Sequence, residues 1–220
     1  MIIRGETPSD FVGVHELVTA AFQRPDEAVL VDRLHSNGEC VISLVAVDGV
    51  EIVGHILFSR MTAPFRALGL GPVSVKSHRQ REGIGNLLVR TGLEQAREGG
   101  WQGVFVVGDP KFYTRFGFES ALAKGFTSRY SGPHLMALAL GRKLPTREGV
   151  IGYASAFESL GLVSGCPLRS FDLNPRIGCA SRLPSVWVDL FALRLRPNSR
   201  RNGTHFARSL PICDEGGLEL

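Results

Sequence analysis

The sequence predicts an α/β fold whose central sheet contains both antiparallel and parallel strand pairs. Early in the chain, β-branched segments at 41–47 and 51–58 flank an Asp-Gly dipeptide, which is typical of a tight hairpin turn. Further along, apolar runs at 68–75 and 103–107 enclose an amphipathic helix at 84–97, the pattern of a parallel β-α-β unit with a right-handed crossover. With 220 residues and 44% hydrophobic content, the chain can bury a full core as one domain.

Two helices are predicted before the hairpin. A serine and an aspartate at 9–10 can cap the first helix, whose apolar residues recur at helical spacing through 11–21. Pro25 begins the second helix and is followed by two acids, which suit the positive end of the helix dipole. The Asn-Gly pair at 37–38 ends that helix.

Four further elements are predicted after the β-α-β unit. A short helix is expected at 111–115, and the segment 116–118 is expected to turn into a strand. The apolar runs at 135–140 and 150–157 predict two more strands.

The composition of the chain changes at about residue 161. From there to Leu220 the chain has eight arginines and no lysine, several prolines and three of the four cysteines. Only 186–195 is strongly apolar in this stretch. We therefore predict a folded domain at 1–160 and a C-terminal extension at 161–220. The composition of the extension is consistent either with a poorly ordered segment or with a small added strand pair.

Charge and hydropathy argue against several classes of function. The formal net charge of +4 is dispersed, and no Lys/Arg run with interleaved aromatic residues predicts a nucleic-acid surface. The basic excess can help to attract an anionic ligand. No apolar run reaches the roughly 18 residues of a membrane span, and no basic leader precedes an apolar segment at the N-terminus. These patterns predict a cytoplasmic protein that binds neither a membrane nor nucleic acid.

The cysteines and histidines predict no metal site. The four cysteines lack Cys-x-x-Cys spacing, which favours reduced, unpaired thiols, with a disulfide among the last three as the alternative. No histidine lies at metal-ligand spacing from a cysteine or an acid.

The segment 80–85, Gln-Arg-Glu-Gly-Ile-Gly, joins the predicted strand at 68–75 to the predicted helix. Glycines let the backbone approach a phosphate, and the N–H groups of the first helical turn, with about half a positive charge from the dipole, favour an anion there. Arg79 and Arg81 add charge beside the loop. The spacing fits neither the Walker nor the dinucleotide pattern. The alternative is a tight loop whose glycines serve packing alone.

Two motifs resemble one known family. The segment 80–85 matches Gln/Arg-x-x-Gly-x-Gly/Ala, which resembles the pyrophosphate loop of the GNAT acetyltransferase superfamily. The segment 108–119, Gly-Asp-Pro-Lys-Phe-Tyr-Thr-Arg-Phe-Gly-Phe-Glu, is similar to a segment of the YhbS-like N-acetyltransferase branch. The segments 1–4, 24–28 and 51–59 resemble that branch's first strand, second-helix entry and third strand. The resemblance runs from Met1 to about Phe157.

The resemblance implies a fold and a cosubstrate. The fold is a GNAT-like mixed, mostly antiparallel central sheet with a parallel β-α-β cofactor unit and helices on both faces, which would make 1–160 an N-acetyltransferase domain. The cosubstrate is acetyl-CoA, whose pyrophosphate the loop amides would hold while the backbone of the preceding strand holds the pantetheine arm and polarises the thioester carbonyl. The implied cofactor-binding residues are Val73, Ser74, Val75, Gln80, Arg81, Glu82, Gly83, Ile84, Gly85 and Asn86.

The resemblance also suggests catalytic residues. Tyr113 is the candidate acid that protonates the departing thiolate, although the adjacent Phe112 could be the inward residue and Tyr113 a packing residue. Glu27 and His55 are candidate bases. Their alternatives are an exposed acid at a helix start for Glu27 and a hydrogen-bonded core histidine for His55. Asp109 is expected to cap the short helix.

The function implied is acetyl-CoA-dependent N-acetyl transfer to a primary amine by direct attack, in a monomer or homodimer. The acceptor would be a small molecule or a peptide amine. The alternatives are a longer acyl donor and a non-catalytic acyl-CoA-binding sensor or interaction module, which would share the phosphate loop but need neither an acid nor a base.

The composition change generates the first testable prediction. A chain truncated after Leu160 should fold and bind acetyl-CoA, because the predicted elements and motifs all precede that residue. Thermal denaturation and titration calorimetry of the truncated and full-length chains check this. Insolubility or a large fall in melting temperature would show that the extension belongs to the core.

Overall fold

The computed structural model of the chain describes residues 1–161. The predicted extension, from its second residue onward, lies outside the described residues. The elements in chain order are β1 (Ile2–Gly5), α1 (Phe11–Phe22), α2 (Asp26–Ser36), β2 (Cys40–Asp48), β3 (Glu51–Arg60), β4 (Ala67–Val75), α3 (Ile84–Glu98), β5 (Gly103–Val107), α4 (Pro110–Tyr113), α5 (Ser120–Ala123), β6 (Phe126–Thr127), β7 (Leu135–Ala139) and β8 (Gly149–Val150).

Within the described residues, six strands form one sheet in the order β1-β2-β3-β4-β5-β7. The β4–β5 pair is parallel and the other neighbouring pairs in this sheet are antiparallel. Helix α3 is the crossover between β4 and β5, as the apolar pattern predicts. The mixed, mostly antiparallel α/β fold is therefore confirmed. The strands β6 and β8 form a separate parallel pair.

Helices cover both faces of the sheet. Leu88 and Leu93 of α3 pack on one face with Phe58 and Leu68, whereas Val14 of α1 belongs to a cluster on the other face. Two glycines allow α3 to lie close to the sheet. A Cβ at Gly54 of β3 would lie 2.9 Å from Cγ2 of Ile84, and one at Gly92 of α3 would clash with the Phe58 ring. This close packing fixes where α3 begins.

The strands β4 and β5 part before either reaches its end. Their parallel register runs from Ala67↔Gly103 to Leu70↔Val106 and stops there. Beyond Leu70, β4 stays paired with β3 through Val75, after a register shift between Ile56 and Phe58. The last residues of β4 therefore border an open gap on the side of β5.

Two predicted strands are wrong. After Phe116 the chain turns at Gly117, whose φ of 91° is incompatible with an extended strand, and then forms α5. In the segment 150–157, only Val150 is part of a strand, and Ser155–Gly161 is a 3-10 helix. The carboxylate of Glu39 accepts hydrogen bonds from the amides of Ser155 (2.8 Å) and Ala156 (3.2 Å). These bonds give partners to backbone N–H groups that the first turn of this helix would otherwise leave unpaired.

Candidate functional site

The loop before α3 leaves its backbone amides available to an anion. Arg81 (φ 71°) and Gly83 (φ 86°) both adopt left-handed conformations, which turn the chain into the helix. No side chain caps the helix at Gly83, and its first turn contains no acidic residue. The N–H groups that a helix start leaves without internal partners are therefore not covered by the protein's own acceptors.

The two arginines beside the loop differ in their ion pairing. Arg79 donates to Glu82 (2.8 Å) and to Asp48 (2.9 Å), so neighbouring carboxylates compensate its charge. Arg79 thus adds its charge beside the loop, as expected, but that charge is already paired. Arg81 is exposed and makes no ion pair with the described residues. It is the arginine of the loop whose charge remains available to a ligand.

The predicted cofactor residues lie together around the loop, but their side chains serve different purposes. The Gln80 amide donates to the carbonyl of Val75 (3.3 Å), which ties the loop to the end of β4. The Ile84 side chain is buried in the core beneath α3, so only its backbone can face a ligand. A Cβ at Gly85 would lie 3.7 Å from Val75 and 3.8 Å from Phe112, so the helix start also lies close to α4.

The segment Val73, Ser74 and Val75 lies at the gap between β4 and β5. It pairs with Ile56, His55 and Gly54 of β3 on one side and has no strand partner on the side of β5. Apart from the Val75 carbonyl, which accepts from Gln80, its backbone groups on that side lack a strand partner and can bind an extended ligand arm.

Tyr113 is the last residue of α4, beside the end of β5. Asp109 caps this short helix by accepting a hydrogen bond from the Lys111 amide (2.9 Å), as its position predicts. The Tyr113 ring lies on Gly108, where any Cβ would collide with it. Burial raises the pKa of Tyr113 well above its usual range, so the phenol is protonated at neutral pH, as a proton donor must be. Phe112 is buried as well, and its ring contacts that of Tyr113.

Glu27 is not an exposed acid. Its side chain is 1% exposed, in the first turn of α2. The Arg24 guanidinium binds it with Nη2–Oε1 at 2.7 Å and Nε–Oε2 at 3.2 Å. Its carboxylate is therefore already occupied by N–H donors.

His55 is fully buried and belongs to a polar cluster between β2, β3 and α2. Its Nε2 lies 2.9 Å from the Ser43 hydroxyl and 3.4 Å from a Glu6 oxygen, and Glu6 also binds His35 at 3.0 Å. Burial alone would raise the pKa of Glu6, but hydrogen bonds from His35, His55 and Ser43 outweigh it and hold the pKa at about 2. Hydrogen bonds to Cys40 and Glu6 raise the pKa of His35 to about 10.

The other ring nitrogen of His55 has no partner, on a strand that pairs with the last residues of β4. His55 pairs directly with Ser74 across the β3–β4 ladder, so both side chains project from the same face. His55 Nδ1 and Ser74 Oγ are both buried and have no hydrogen-bond partner among the described residues. The two unpartnered atoms therefore lie on one face of the sheet, on residues that pair directly across β3 and β4.

Sequence reasoning missed three residues that contribute to this site. Glu6 and Ser43 complete the polar cluster, and Tyr153 presents a buried, unpartnered hydroxyl. Period-two spacing could have indicated Ser43 as a neighbour of a β3 residue. No local signal in the sequence indicates Glu6 or Tyr153, because both come to the site from distant parts of the chain.

Two further observations concern metal ions and membranes. Within residues 1–161, no group of three His, Cys, Asp or Glu side chains is arranged to hold a metal ion. The helices of the described region are too short or too polar to cross a bilayer.

Comparison with known proteins agrees with this geometry. The acetyltransferase (GNAT) domain family matches residues 3–121. The Escherichia coli (strain K12) N-acetyltransferase YhbS is 34% identical over 136 residues, which cover 60% of this chain and 81% of YhbS. The E. coli N-acetyltransferase YjhQ is 37% identical over 134 residues, covering 57% of this chain and 74% of YjhQ.

Solved structures show the same similarity. The crystal structure of E. coli YhbS in complex with CoA superposes with a TM-score of 0.68 at 30% identity, covering 71% of this chain and 91% of that one. A GNAT family acetyltransferase from Brucella melitensis, in complex with acetyl-CoA, gives a TM-score of 0.62 at 35% identity, covering 71% of this chain and 97% of that one. With its family match, its relatives and its parted parallel strands, this chain belongs to the GNAT acetyltransferase family, and its activity is that of an acyltransferase.

Proposed function

We propose that this protein uses acetyl-CoA to acetylate a primary amine of a small molecule or peptide by direct attack. The observation that carries the proposal is the uncapped start of α3 beside the gap between β4 and β5. Two related structures support it, because one is a complex with CoA and the other a complex with acetyl-CoA.

The residues present fit an acyl-CoA donor. The amides of 81–86 can receive its pyrophosphate, and Arg81 adds a charge that is not already paired. The free edge of Val73, Ser74 and Val75 can bind the pantetheine amides. The donor supplies a thioester, whose carbonyl carbon is the electrophile for the acceptor amine.

Tyr113 supplies the proton for the departing sulfur in this proposal. Its phenol is protonated at neutral pH, and its ring is fixed on Gly108 at the end of β5. The end of β5 borders the same gap as the free edge of β4. A thioester bound along β4 would therefore lie beside Tyr113. Transfer of the hydroxyl proton to the thiolate would let the carbon–sulfur bond break without releasing a poor leaving group.

We assign the base to His55, acting through Ser74. Ser74 belongs to the segment of β4 that borders the gap, and its buried, unpartnered oxygen and the unpartnered Nδ1 of His55 lie on paired residues. A proton leaving the acceptor ammonium can pass through Ser74, or through a water beside it, to Nδ1. Glu27 is the weaker candidate, because Arg24 already occupies its carboxylate. We assign Glu27 to positioning the start of α2.

The cofactor assignment predicts the effect of a side chain at Gly83. A Cβ there would meet no protein atom within 4 Å, so Gly83→Val places its methyl groups in the space that a phosphate would occupy. Acetyl-CoA affinity measured by titration calorimetry should fall about 10–100-fold, the equivalent of one or two lost charge-assisted hydrogen bonds.

Gly38 offers a matched control for this substitution. Its φ of 67° is similarly left-handed, and a Cβ there also meets nothing within 4 Å. Gly38→Val should therefore cost similar backbone strain while leaving acetyl-CoA affinity unchanged. Wild-type affinity in a folded Gly83→Val variant would refute the loop as the phosphate site.

Removal of one oxygen tests the acid. Tyr113→Phe keeps the ring on Gly108, so acetyl-CoA affinity should stay nearly unchanged while turnover falls by about 10²–10⁴. The measurement is acetyl-CoA consumption with panels of amines, amino acids and peptides, beside the dissociation constant. Unchanged turnover would show that Tyr113 only packs the helix on the sheet and is not the acid. Binding without turnover on any acceptor, in the wild type, would favour the non-catalytic acyl-CoA-binding module.

Ser74→Ala tests the proton path. The hydroxyl has no partner to lose among the described residues, so stability and acetyl-CoA affinity should change little, while turnover at pH 7 falls by about 10²–10⁴. The defect should shrink as the pH rises and bulk solvent deprotonates the amine. Glu27→Gln should change turnover less than about tenfold. The reverse result, a large loss with Glu27→Gln and none with Ser74→Ala, would assign the base to Glu27.

A further inference from the structure

Tyr153 carries a hydroxyl that the folded chain itself does not use. The oxygen is buried and has no hydrogen-bond partner among the described residues. A buried polar group without a partner costs free energy, and phenylalanine would fill the same space without that cost. The hydroxyl is therefore a hydrogen-bond donor that the described residues leave unused.

The ring of Tyr153 lies where β4 and β5 begin to part. A Cβ at Gly69 of β4 would lie 2.8 Å from Cε1 of this ring, so the ring rests on bare backbone. Gly69 pairs with Phe105, one step before the final pair of the parallel register, Leu70↔Val106. Tyr153 therefore lies at the closed end of the gap.

Tyr153 and Tyr113 lie on opposite faces of the sheet. Leu68 and Leu70 belong to the core cluster beneath α3, so Gly69 between them faces the other side, where Tyr153 packs against the cluster formed by α1 and α2. Tyr113 belongs to the α3 cluster and rests on Gly108, just after β5. The two phenols thus flank the gap from its two faces, Tyr153 on a glycine of β4 and Tyr113 on the glycine directly after β5.

Neighbouring rings hold Tyr153 in place. Tyr130 contacts it edge-on at 5.3 Å between centroids, and Phe157 lies at 5.1 Å. Burial is the main cause that raises the pKa of Tyr153 above its usual range, and the nearby phenols of Tyr130 and Tyr113 add to the increase. Its hydroxyl is therefore a protonated donor at neutral pH, and its ring position is fixed before any ligand binds.

We propose that the Tyr153 hydroxyl donates a hydrogen bond to the thioester carbonyl oxygen of the acyl donor. This proposal rests on the proposed function, because it requires an acyl-CoA in the gap. The carbonyl oxygen accepts but cannot donate, and it is two bonds from the sulfur that Tyr113 would protonate from the other face. It therefore suits a donor located across the gap from Tyr113.

The hydrogen bond would strengthen as the reaction proceeds. When the amine nitrogen bonds to the carbonyl carbon, the π electron pair moves to the oxygen, and Tyr153 then faces a full negative charge. As the pair returns, the carbon–sulfur bond breaks, its electrons go to the sulfur, and the Tyr113 proton neutralises the thiolate. Tyr153 remains protonated throughout and stabilises charge without transferring a proton.

The test compares acetyl-CoA with CoA, because only acetyl-CoA contains the carbonyl. Calorimetry on the full-length wild type should show tighter binding of acetyl-CoA, and Tyr153→Phe should reduce that preference about 3–10-fold while leaving CoA affinity unchanged. The melting temperature of Tyr153→Phe should not fall, since the lost oxygen has no partner in the free protein. No acceptor is needed for either measurement.

Tyr130→Phe is the matched control, because it removes the same atom from the adjacent ring and should leave the preference intact. An unchanged preference in Tyr153→Phe, or no preference in the wild type, would overturn the role of Tyr153 while leaving the proposed function in place. Failure of the wild type to bind either compound would instead refute the proposed function itself.

Discussion

The parting of β4 from β5 after Leu70 and Val106 is the constraint on which the rest of the site depends. Parallel strands that stayed paired would use their backbone groups on each other. Because they part, the last residues of β4 keep a free edge, and the gap opens onto both faces of the sheet. One face then carries the start of α3 and Tyr113, and the other carries Ser74, His55 and Tyr153.

Packing on the α3 face sets the position of the loop before α3 relative to this gap. Glycines at 54 and 92 bring α3 close against β3, and the Gln80 amide binds the carbonyl at the end of β4. The loop is thus held at both its ends, so the amides at the start of α3 and the free edge of β4 have a fixed separation. An extended ligand with an anionic end can contact both without the protein reorganising.

The opposite face combines a polar cluster with unpartnered donors and acceptors. The charges of Glu6 and His35 are paired within the cluster, which makes their burial tolerable. His55 of this cluster, Ser74 opposite it on β4, and Tyr153 on the same face of the sheet each keep a polar atom without a partner among the described residues. Such atoms cost stability in the free chain, and their concentration beside the gap is what binding and proton transfer would require.

Local patterns in the sequence determined the hairpin, the β-α-β unit, the helix starts and the glycine loop before α3, because turn residues, side-chain periodicity and glycine spacing act over a few residues. The capping role of Asp109 is local in the same way. The local patterns were misleading at 116–118 and 150–157, where a left-handed glycine and the distant carboxylate of Glu39 outweigh strand propensity. The ion pairs Arg24–Glu27 and Arg79–Glu82 join residues three apart along the chain. Tertiary structure alone decided the Arg79–Asp48 ion pair, the partners of His55 and the position of Tyr153. These depend on contacts between segments far apart in sequence, whose geometry is set only when the sheet forms and its two layers of helices pack.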